Sequence, residues 1–386
     1  MTPTDLLFIT TYTGMGGGET SLLTLVEHLD PARYRPHLCV PREGQLTERW
    51  RARGWPVHIT PFRGASTYFI PAIWGRFPIT GRIAALIRQY HIQAIHSDYH
   101  SLPFAVYAGA RMGIPVVWTC WGWWFHPKAW QRAFFQRPQA AFAASWAIKD
   151  GFLGDPPFMP PDRLPVLPPG VDTERFKPGI DGSNVRADAK ADPDALIVAL
   201  IARFQDVKGH DTFQQMALRV GGVIRKARFI VAGENVHGAS ADDAYKARIL
   251  HAYEANPMLR DRMVYLGFRP DAEKVIAAAD VVVCSSDFES YGMVNIEAMA
   301  SGKPVVSTRR GGPSETVVDG ETGFLVDPKD PDALADRVVT LLRDPDLRAR
   351  MGAAGRARVE RLFSARAMAD TFMHTLEAMI NPNAKA

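Results

Sequence analysis

Cysteine is scarce: only Cys39, Cys120 and Cys284 occur. An odd and widely spaced set argues against a disulfide framework or a thiolate zinc site, and suits buried thiols in a reducing compartment. No stretch offers about 18 uninterrupted apolar residues, so a membrane span is not expected. The opening MTPTDLLFIT lacks both a charged n-region and a long apolar run, which points away from secretion and toward the cytoplasm. A strong charge of one sign is also missing. With 45 Lys and Arg against 41 Asp and Glu, the net +4 is too modest for a nucleic-acid binder, and no motif of that class appears. The charge is uneven, +5 over residues 1–172 and −1 over the remainder. That asymmetry suits an anionic acceptor or an acidic lipid surface, or is simply surplus surface arginine.

What is present is an ordinary globular mixture, 47% hydrophobic and 22% charged over 386 residues. That length exceeds one comfortable core and makes two similar domains the natural expectation. Short β-branched runs alternate with amphipathic stretches at 6–11, 37–40, 57–60, 94–98, 115–120 and 140–145, then again at 196–204, 229–233, 263–267, 281–286, 304–308 and 323–326. The rhythm predicts an α/β chain of two doubly wound, Rossmann-like domains with parallel sheets. Between the two series lies LPVLPPGVDTERFKPGIDGSNVRADAKADPD, rich in proline, glycine and charge, with few residues able to maintain a core. The expected organisation is a first domain over 1–172, a linker over 173–192, a second domain over 193–362, and a C-terminal helix over 363–386 that packs back toward the first domain. Apolar positions three and four apart predict helices over 331–342, 345–363 and 365–380. Ligands of open α/β sheets bind outside the carboxyl ends of the strands, so the chemistry is expected in those loops, in a cleft between facing sheets.

FESYGMVNIEAMASGKPVV follows the apolar run VVVCSS and puts Glu289 and Glu297 eight positions apart. Glu289 falls in a strand-to-helix loop, and Glu297 one to two turns into the helix that begins near Gly292. Gly292 permits close backbone approach, and free amides at a helix N-terminus suit a phosphate. Two carboxylates beside a phosphate make electrostatic sense when they hold neutral hydroxyls, which points to a polyol ligand such as a nucleotide sugar. The plainer reading is a capping Glu289 and a solvated Glu297. In ALIARFQDVKGHDTF, Arg203 ends a buried strand and Lys208 precedes a helix. Two cations there suit a diphosphate leaving group, although an ion pair and a solvated loop residue would look the same. TYTGMGGGETSLLTLVEHL runs from the first strand through Gly14, Gly16, Gly17 and Gly18 into a helix, a turn whose amides can approach a phosphate or sugar. It is no dinucleotide fingerprint, because the third glycine position falls on Glu19 or Ser21, and no Walker lysine follows. His96, Asp98 and His100 read as strand-end hydrogen bonding ahead of metal ligation, so no metal is expected.

Together, GGGE near the start, Arg203 and Lys208 of RFQDVKG, the glutamates with seven residues between them, and EAMASGKPVVST followed by GGPSE resemble the retaining glycosyltransferases of family 4 over nearly the whole chain. PPGVDTERFKP is similar to that family's interdomain segment, with Pro169 where asparagine is usual. The resemblance implies the GT-B fold, two Rossmann-like domains facing across a cleft, the first on the acceptor side and the second binding the nucleotide sugar. It implies that Arg203 and Lys208 bind the donor diphosphate, Glu289 the transferred sugar and Glu297 the ribose. Met293 and Val294 would offer amides to the donor, Gly16 and Gly17 would line its phosphate from the other domain, and Gly267, Phe268 and Arg269 would lie by the base. Transfer would retain anomeric configuration without metal or cofactor, the leaving phosphate helping to deprotonate the acceptor. Asp98 and His100 are candidates for orienting or deprotonating that acceptor. One departure stands out: where the family often carries histidine after a strand ending Thr-x-His, VVWTCWGWWFHP has Trp121, with His126 five residues on. Trp121, Trp123 and His126 are candidates for the acceptor or sugar wall.

WGWWFHPKAWQRAFFQR interleaves seven aromatic residues with Lys128, Arg132 and Arg137. Exposed, it suits the inner face of a membrane or a lipid-linked acceptor; tucked inward, it is core. The expectation is an enzyme moving a hexose or N-acetylhexosamine from a nucleotide diphosphate sugar, UDP-linked in preference to GDP-mannose, to a glycan, lipid-linked or small-molecule acceptor. The alternatives are a silent nucleotide-sugar-binding module, motivated by Trp121, and a sugar phosphorylase on a related fold, which no pyridoxal-phosphate lysine site supports.

Overall fold

The computed structural model describes residues 3–64, 78–122, 127–235 and 240–380. The chain divides into two compact units, Met1–Gly170 together with Ala365–Ala386, and Val171–Ser364. All twelve apolar runs form strands. The first unit holds β1 (Thr4–Ile9), β2 (Tyr34–Val40), β3 (Val57–Ile59), β4 (Ala94–Ser97), β5 (Val116–Cys120) and β6 (Ala140–Ala143), in the order β3-β2-β1-β4-β5-β6. The second holds β7 (Leu196–Ile201), β8 (Ala227–Ala232), β9 (Met263–Gly267), β10 (Val281–Cys284), β11 (Val305–Thr308) and β12 (Gly323–Val326), in the order β12-β11-β10-β7-β8-β9. Every pairing between neighbouring strands is parallel. Each unit is thus a Rossmann-like α/β layer whose strand order reverses once, between β1 and β4 in the first and between β7 and β10 in the second.

Parallel strands need helices on both faces, and β1 shows how its sequence meets that need. Leu7 and Ile9 point to one face, against Ile83 and Ile87 of helix Pro78–Tyr90 and Phe104 of helix Leu102–Met112. Leu6 and Phe8 point to the other, against Leu22 and Val26 of helix Gly17–Glu27 and Phe372 of helix Ala365–Ile380. Each such side chain contributes roughly 1.5–3 kcal/mol of burial. Helix Ala365–Ile380 is further held to the first unit by Glu377, which accepts hydrogen bonds from Arg33 and from the Tyr34 hydroxyl. The preceding helices Pro331–Arg343 and Pro345–Leu362 start where the sequence places proline at the first position, capped by Asp330 and Asp344, each accepting a backbone N–H at 2.8 Å.

Residues 173–192 depart from the expected linker. They hold the short helix Ser183–Asp188, and Phe176, Val185 and Ala189 are buried in the core of the second unit. Arg186 adds to the docking by donating to the carbonyls of Ala195 (2.7 Å) and Ala278 (3.1 Å). Val185 and Ala189 lie four apart on one helix face, and Arg175 also reaches across, to the Pro270 carbonyl and to Glu273, while Glu174, Lys177, Asp181 and Lys190 stay exposed. Several expected strands also run one to three residues past the observed ends. The overhanging residues, Thr10 and Thr11, Asp98, and Ala202 to Phe204, form the loops at the carboxyl ends.

Candidate active site

The second switch point gathers the charged candidates. After β7 the chain passes Arg203 into a single turn, Asp206–Lys208, and then into helix His210–Val223. After β10 it passes Ser285 and Glu289 into helix Met293–Ala300. Side-chain and backbone hydrogen bonds stitch the two loops together: Ser285 Oγ donates to the carbonyls of Lys208 (3.1 Å) and Gly209 (2.9 Å), and Asp287 N–H to the carbonyl of Val207 (2.8 Å). Gly209 makes this approach possible. Its φ is +64°, and a Cβ there would stand 2.1 Å from the Ser285 carbonyl oxygen.

On this frame Lys208 Nζ lies 2.5 Å from Glu289 Oε2, with both side chains largely buried. Ser286 Oγ donates to the same oxygen at 3.3 Å, and its own carbonyl is held by the Thr308 hydroxyl. Glu289 Oε1 has no such tie among the described residues. The backbone of Glu289 is fixed on both sides, its N–H to the Arg310 carbonyl (3.1 Å) and its carbonyl to Gly312 N–H (2.9 Å). Gly311, at φ +95°, permits that contact, since a Cβ would fall 2.1 Å from the Glu289 carbonyl oxygen. Arg203 is exposed, and its guanidinium has no partner among the described residues. Helix Met293–Ala300 starts four residues after Glu289, with Met293 and Val294 half-buried in its first turn. The loop therefore combines two cations, one carboxylate oxygen that remains open, and a helix N-terminus.

Glu297 lies on the same helix. Its carboxylate has no hydrogen-bond partner among the described residues. Burial pushes its pKa up to about 7, with the Arg175 guanidinium opposing and the Glu273 carboxylate adding to the rise. Gly267 ends β9 and accepts from Gly233 N–H at 2.8 Å, and Phe268 beyond it is 60% exposed. The side chain of Arg269 is turned elsewhere, paired with Asp271 (2.8 Å) and Asp188 (2.6 Å), which leaves the backbone of this turn and the Phe268 ring exposed.

In the first unit the glycine-rich turn differs from the expectation. The N–H of Gly16 is already taken by Glu19, whose Oε2 accepts it at 3.0 Å. A phosphate at that amide would have to displace the carboxylate. Gly17 is open, for a Cβ there would meet no atom within 4 Å. Asp98 is saturated. Its Oδ2 accepts from Thr10 Oγ1 and Thr11 N–H (both 2.9 Å) and Thr11 Oγ1 (3.2 Å), and its Oδ1 from the Ser101 N–H and hydroxyl (both 2.6 Å). That is a structural clamp between the loops after β1 and β4, and it lends no support to an acid–base role. His100 is half-buried between Tyr12 and Tyr99. His96 is core, bonded to Thr119 and pushed down to about 3 by burial. Trp121 packs on Gly18, while Trp123 and His126 lie outside the described residues. Among the described residues no three His, Cys, Asp or Glu side chains form a group able to hold a metal ion.

Sequence reasoning passed over Ser286, Thr10, Thr11, Tyr12 and Arg175. Only Ser286, three residues before Glu289 in a loop, carried a signal that spacing could have found.

Two Rossmann-like units, with a lysine–glutamate pair and a helix N-terminus at the switch point of the second, define the two-domain class to which many glycosyltransferases belong. Residues 183–358 match the family Glycosyl transferases group 1, and residues 15–175 match Glycosyltransferase Family 4. The chain belongs to this family of group 1, family 4 glycosyltransferases. It is 34% identical over 245 residues to a D-inositol 3-phosphate glycosyltransferase of Segniliparus rotundus, covering 63% of this chain and 53% of that protein. It is 37% identical over 198 residues to a protein of the same name from Corynebacterium glutamicum, covering 50% and 46%. The chain thus spans about half the length of the curated relatives it matches. Among solved structures it is similar to a glycosyltransferase from Rickettsia africae (TM-score 0.86, 19% identity, all of both chains) and to Anabaena HepE in complex with UDP and glucose (TM-score 0.78, 20% identity, 97% and 99%). These likenesses carry the GT-B fold.

Proposed function

We propose that the protein is a retaining glycosyltransferase that moves a hexose or N-acetylhexosamine from a nucleotide diphosphate sugar, UDP-linked by preference, to a hydroxyl of a glycan, lipid-linked or small-molecule acceptor. The observation that carries this reading is the meeting of Lys208, Glu289 and a helix N-terminus at the β7/β10 switch point. In it, Arg203, Lys208 and the amides of Met293 and Val294 hold the diphosphate and stabilise the charge that develops as the bond from the anomeric carbon to phosphate breaks. Lys208 and Ser286 hold Oε2 of Glu289, which leaves Oε1 to accept from a hydroxyl of the departing sugar. Glu297 accepts from the ribose. The acceptor oxygen bonds to the anomeric carbon on the face the phosphate leaves, and the acceptor proton passes to the leaving phosphate oxygen. No metal ion is required, because the two cations take the charge-stabilising part. The UDP preference draws support from the UDP bound by Anabaena HepE, and a polyol acceptor from the names of the curated relatives.

No helix among the described residues is long and apolar enough to cross a membrane. Contact with an acidic lipid surface through the +5 of residues 1–172 belongs to this reading, and cosedimentation with anionic vesicles tests it.

The reading is tested by a thermal-shift screen against UDP, GDP, ADP and their sugar conjugates, with Lys208→Ala alongside and no added metal. A shift selective for one nucleotide and lost in the variant is expected. No shift with any of them, or equal shifts in both proteins, would remove the donor site.

A further inference from the structure

Arg203 and Lys208 stand on a loop that closes on itself. Gln205 ties both to one point of the backbone: its N–H donates to the Arg203 carbonyl (2.9 Å), and its carbonyl accepts from Lys208 N–H (2.8 Å). At the base of the loop the buried rings of Phe204 and His210 stack, 4.5 Å between centroids and 15° between planes. The Ala202 carbonyl lies near the imidazole, but neither ring nitrogen reaches a partner in hydrogen-bonding geometry, and burial pushes the pKa down to about 4. His210 therefore serves as a neutral, flat plate.

One helix holds this clasp from outside. Helix Ser240–Ala255 brings Asp242, Tyr245, Lys246 and Ile249 to one face by their spacing of three and four. Asp242 accepts from the Gln205 side chain (3.2 Å), the Tyr245 hydroxyl accepts from His210 N–H (3.0 Å), and Lys246 Nζ sits 5.4 Å from the centre of the Phe204 ring. Ile249 closes the cluster with Phe204 and Tyr245. Ser285 fixes the other side of the loop, as described, so both cations leave a backbone that is held from two directions.

Resting on the reading that this loop receives a nucleotide diphosphate, we propose that Phe204, His210 and Tyr245 are positioning residues that fix the spacing of Arg203 and Lys208, and that this spacing selects a diphosphate over a monophosphate. A diphosphate carries charge on two linked phosphoryl groups and gains from two cations only when both are held at its span. A monophosphate is satisfied by either cation alone. Loosening the clasp thus penalises the longer anion and spares the shorter one.

Titration calorimetry on the full chain tests this with UDP against UMP and, as a second pair, GDP against GMP, in the parent and three variants. Tyr245→Phe keeps the ring and removes the acceptor of His210 N–H. It is expected to narrow the ratio of diphosphate to monophosphate affinity by about threefold to tenfold, with monophosphate affinity unchanged. His210→Ala removes the stack and should narrow the ratio further, and His210→Phe, which restores a plate without nitrogens, should return it to the parent's value. A thermal melt of each variant reports its folding, and where His210→Ala does not fold, the other two carry the test. An unchanged ratio in Tyr245→Phe, equal losses for both members of a pair, or no recovery in His210→Phe overturns the clasp and leaves the donor site standing. A parent that prefers neither diphosphate removes the diphosphate site itself, and the positioning role falls with it.

Discussion

The two switch points share one strand order and almost nothing else. At β7/β10 the loops converge on Lys208, Glu289 and a helix N-terminus, a surface of full and partial charges. At β1/β4 they converge on Tyr12, Tyr99 and His100, and the Asp98 carboxylate is used up in hydrogen bonds to Thr10, Thr11 and Ser101. The sheets supply equivalent crevices, and the loops decide what each can hold. Glu289 and Asp98 make the contrast concrete. Both are carboxylates in the loop that follows a central strand, yet one keeps an oxygen open and the other has none to give.

If that contrast is right, the largest effect follows from Glu289→Gln. The amide keeps the size of the side chain but weakens its tie to Lys208 and its acceptance of a sugar hydroxyl. Turnover should fall by about 10²- to 10³-fold while the melting temperature stays close to that of the parent. Steady-state rates beside a thermal melt decide the matter, and turnover within about threefold of the parent would place the chemistry elsewhere. Asp98→Ala should do the reverse. It strips the acceptor from five donors in a half-buried loop, at a cost of about 3 kcal/mol in stability, while nucleotide affinity of the second unit is spared. A variant that melts like the parent but has lost turnover would mean that Asp98 acts in chemistry after all.

These assignments show where sequence was a sufficient guide. The twelve strands were legible because parallel strands covered on both faces must be apolar along their length, and the tail helices because aspartate and proline mark their starts. Lys208 and Glu289 were legible as neighbours because both follow the carboxyl ends of apolar strands that pair in the sheet. What lay hidden was how side chains pair across long separations. Nothing local to Asp98 reports that Thr10 and Thr11 will fill its oxygens, or that Arg269 will turn to Asp188 and Asp271. Glu19 was read only as a residue that breaks a glycine pattern, whereas it folds back on Gly16 N–H. The segment 173–192 misled by composition, since Phe176 and Val185 are enough to dock it.

The smallest effect sharpens the contrast within the charged site, between Glu289, neutralised by Lys208, and Glu297, which has no hydrogen-bonded cation. Burial raises Glu297 from an ordinary 4.5 to about 7, so between those values the folded chain holds a proton that the unfolded chain has released. Stability must then fall as pH rises through this window, by roughly 1–3 kcal/mol. It is fully present below about 4.5 and lost above about 7. Glu297→Gln is neutral at every pH and should flatten that slope. Ribose hydroxyls donate to the charged carboxylate, so nucleotide binding should pull the proton off. UDP affinity of the parent should therefore rise over the same window in which its stability declines, and UDP binding near pH 6 should release protons measurable by titration calorimetry in buffers of different ionisation enthalpy. Identical melting slopes in parent and variant would show that Glu297 is charged throughout, and its share in binding would then carry no pH signature.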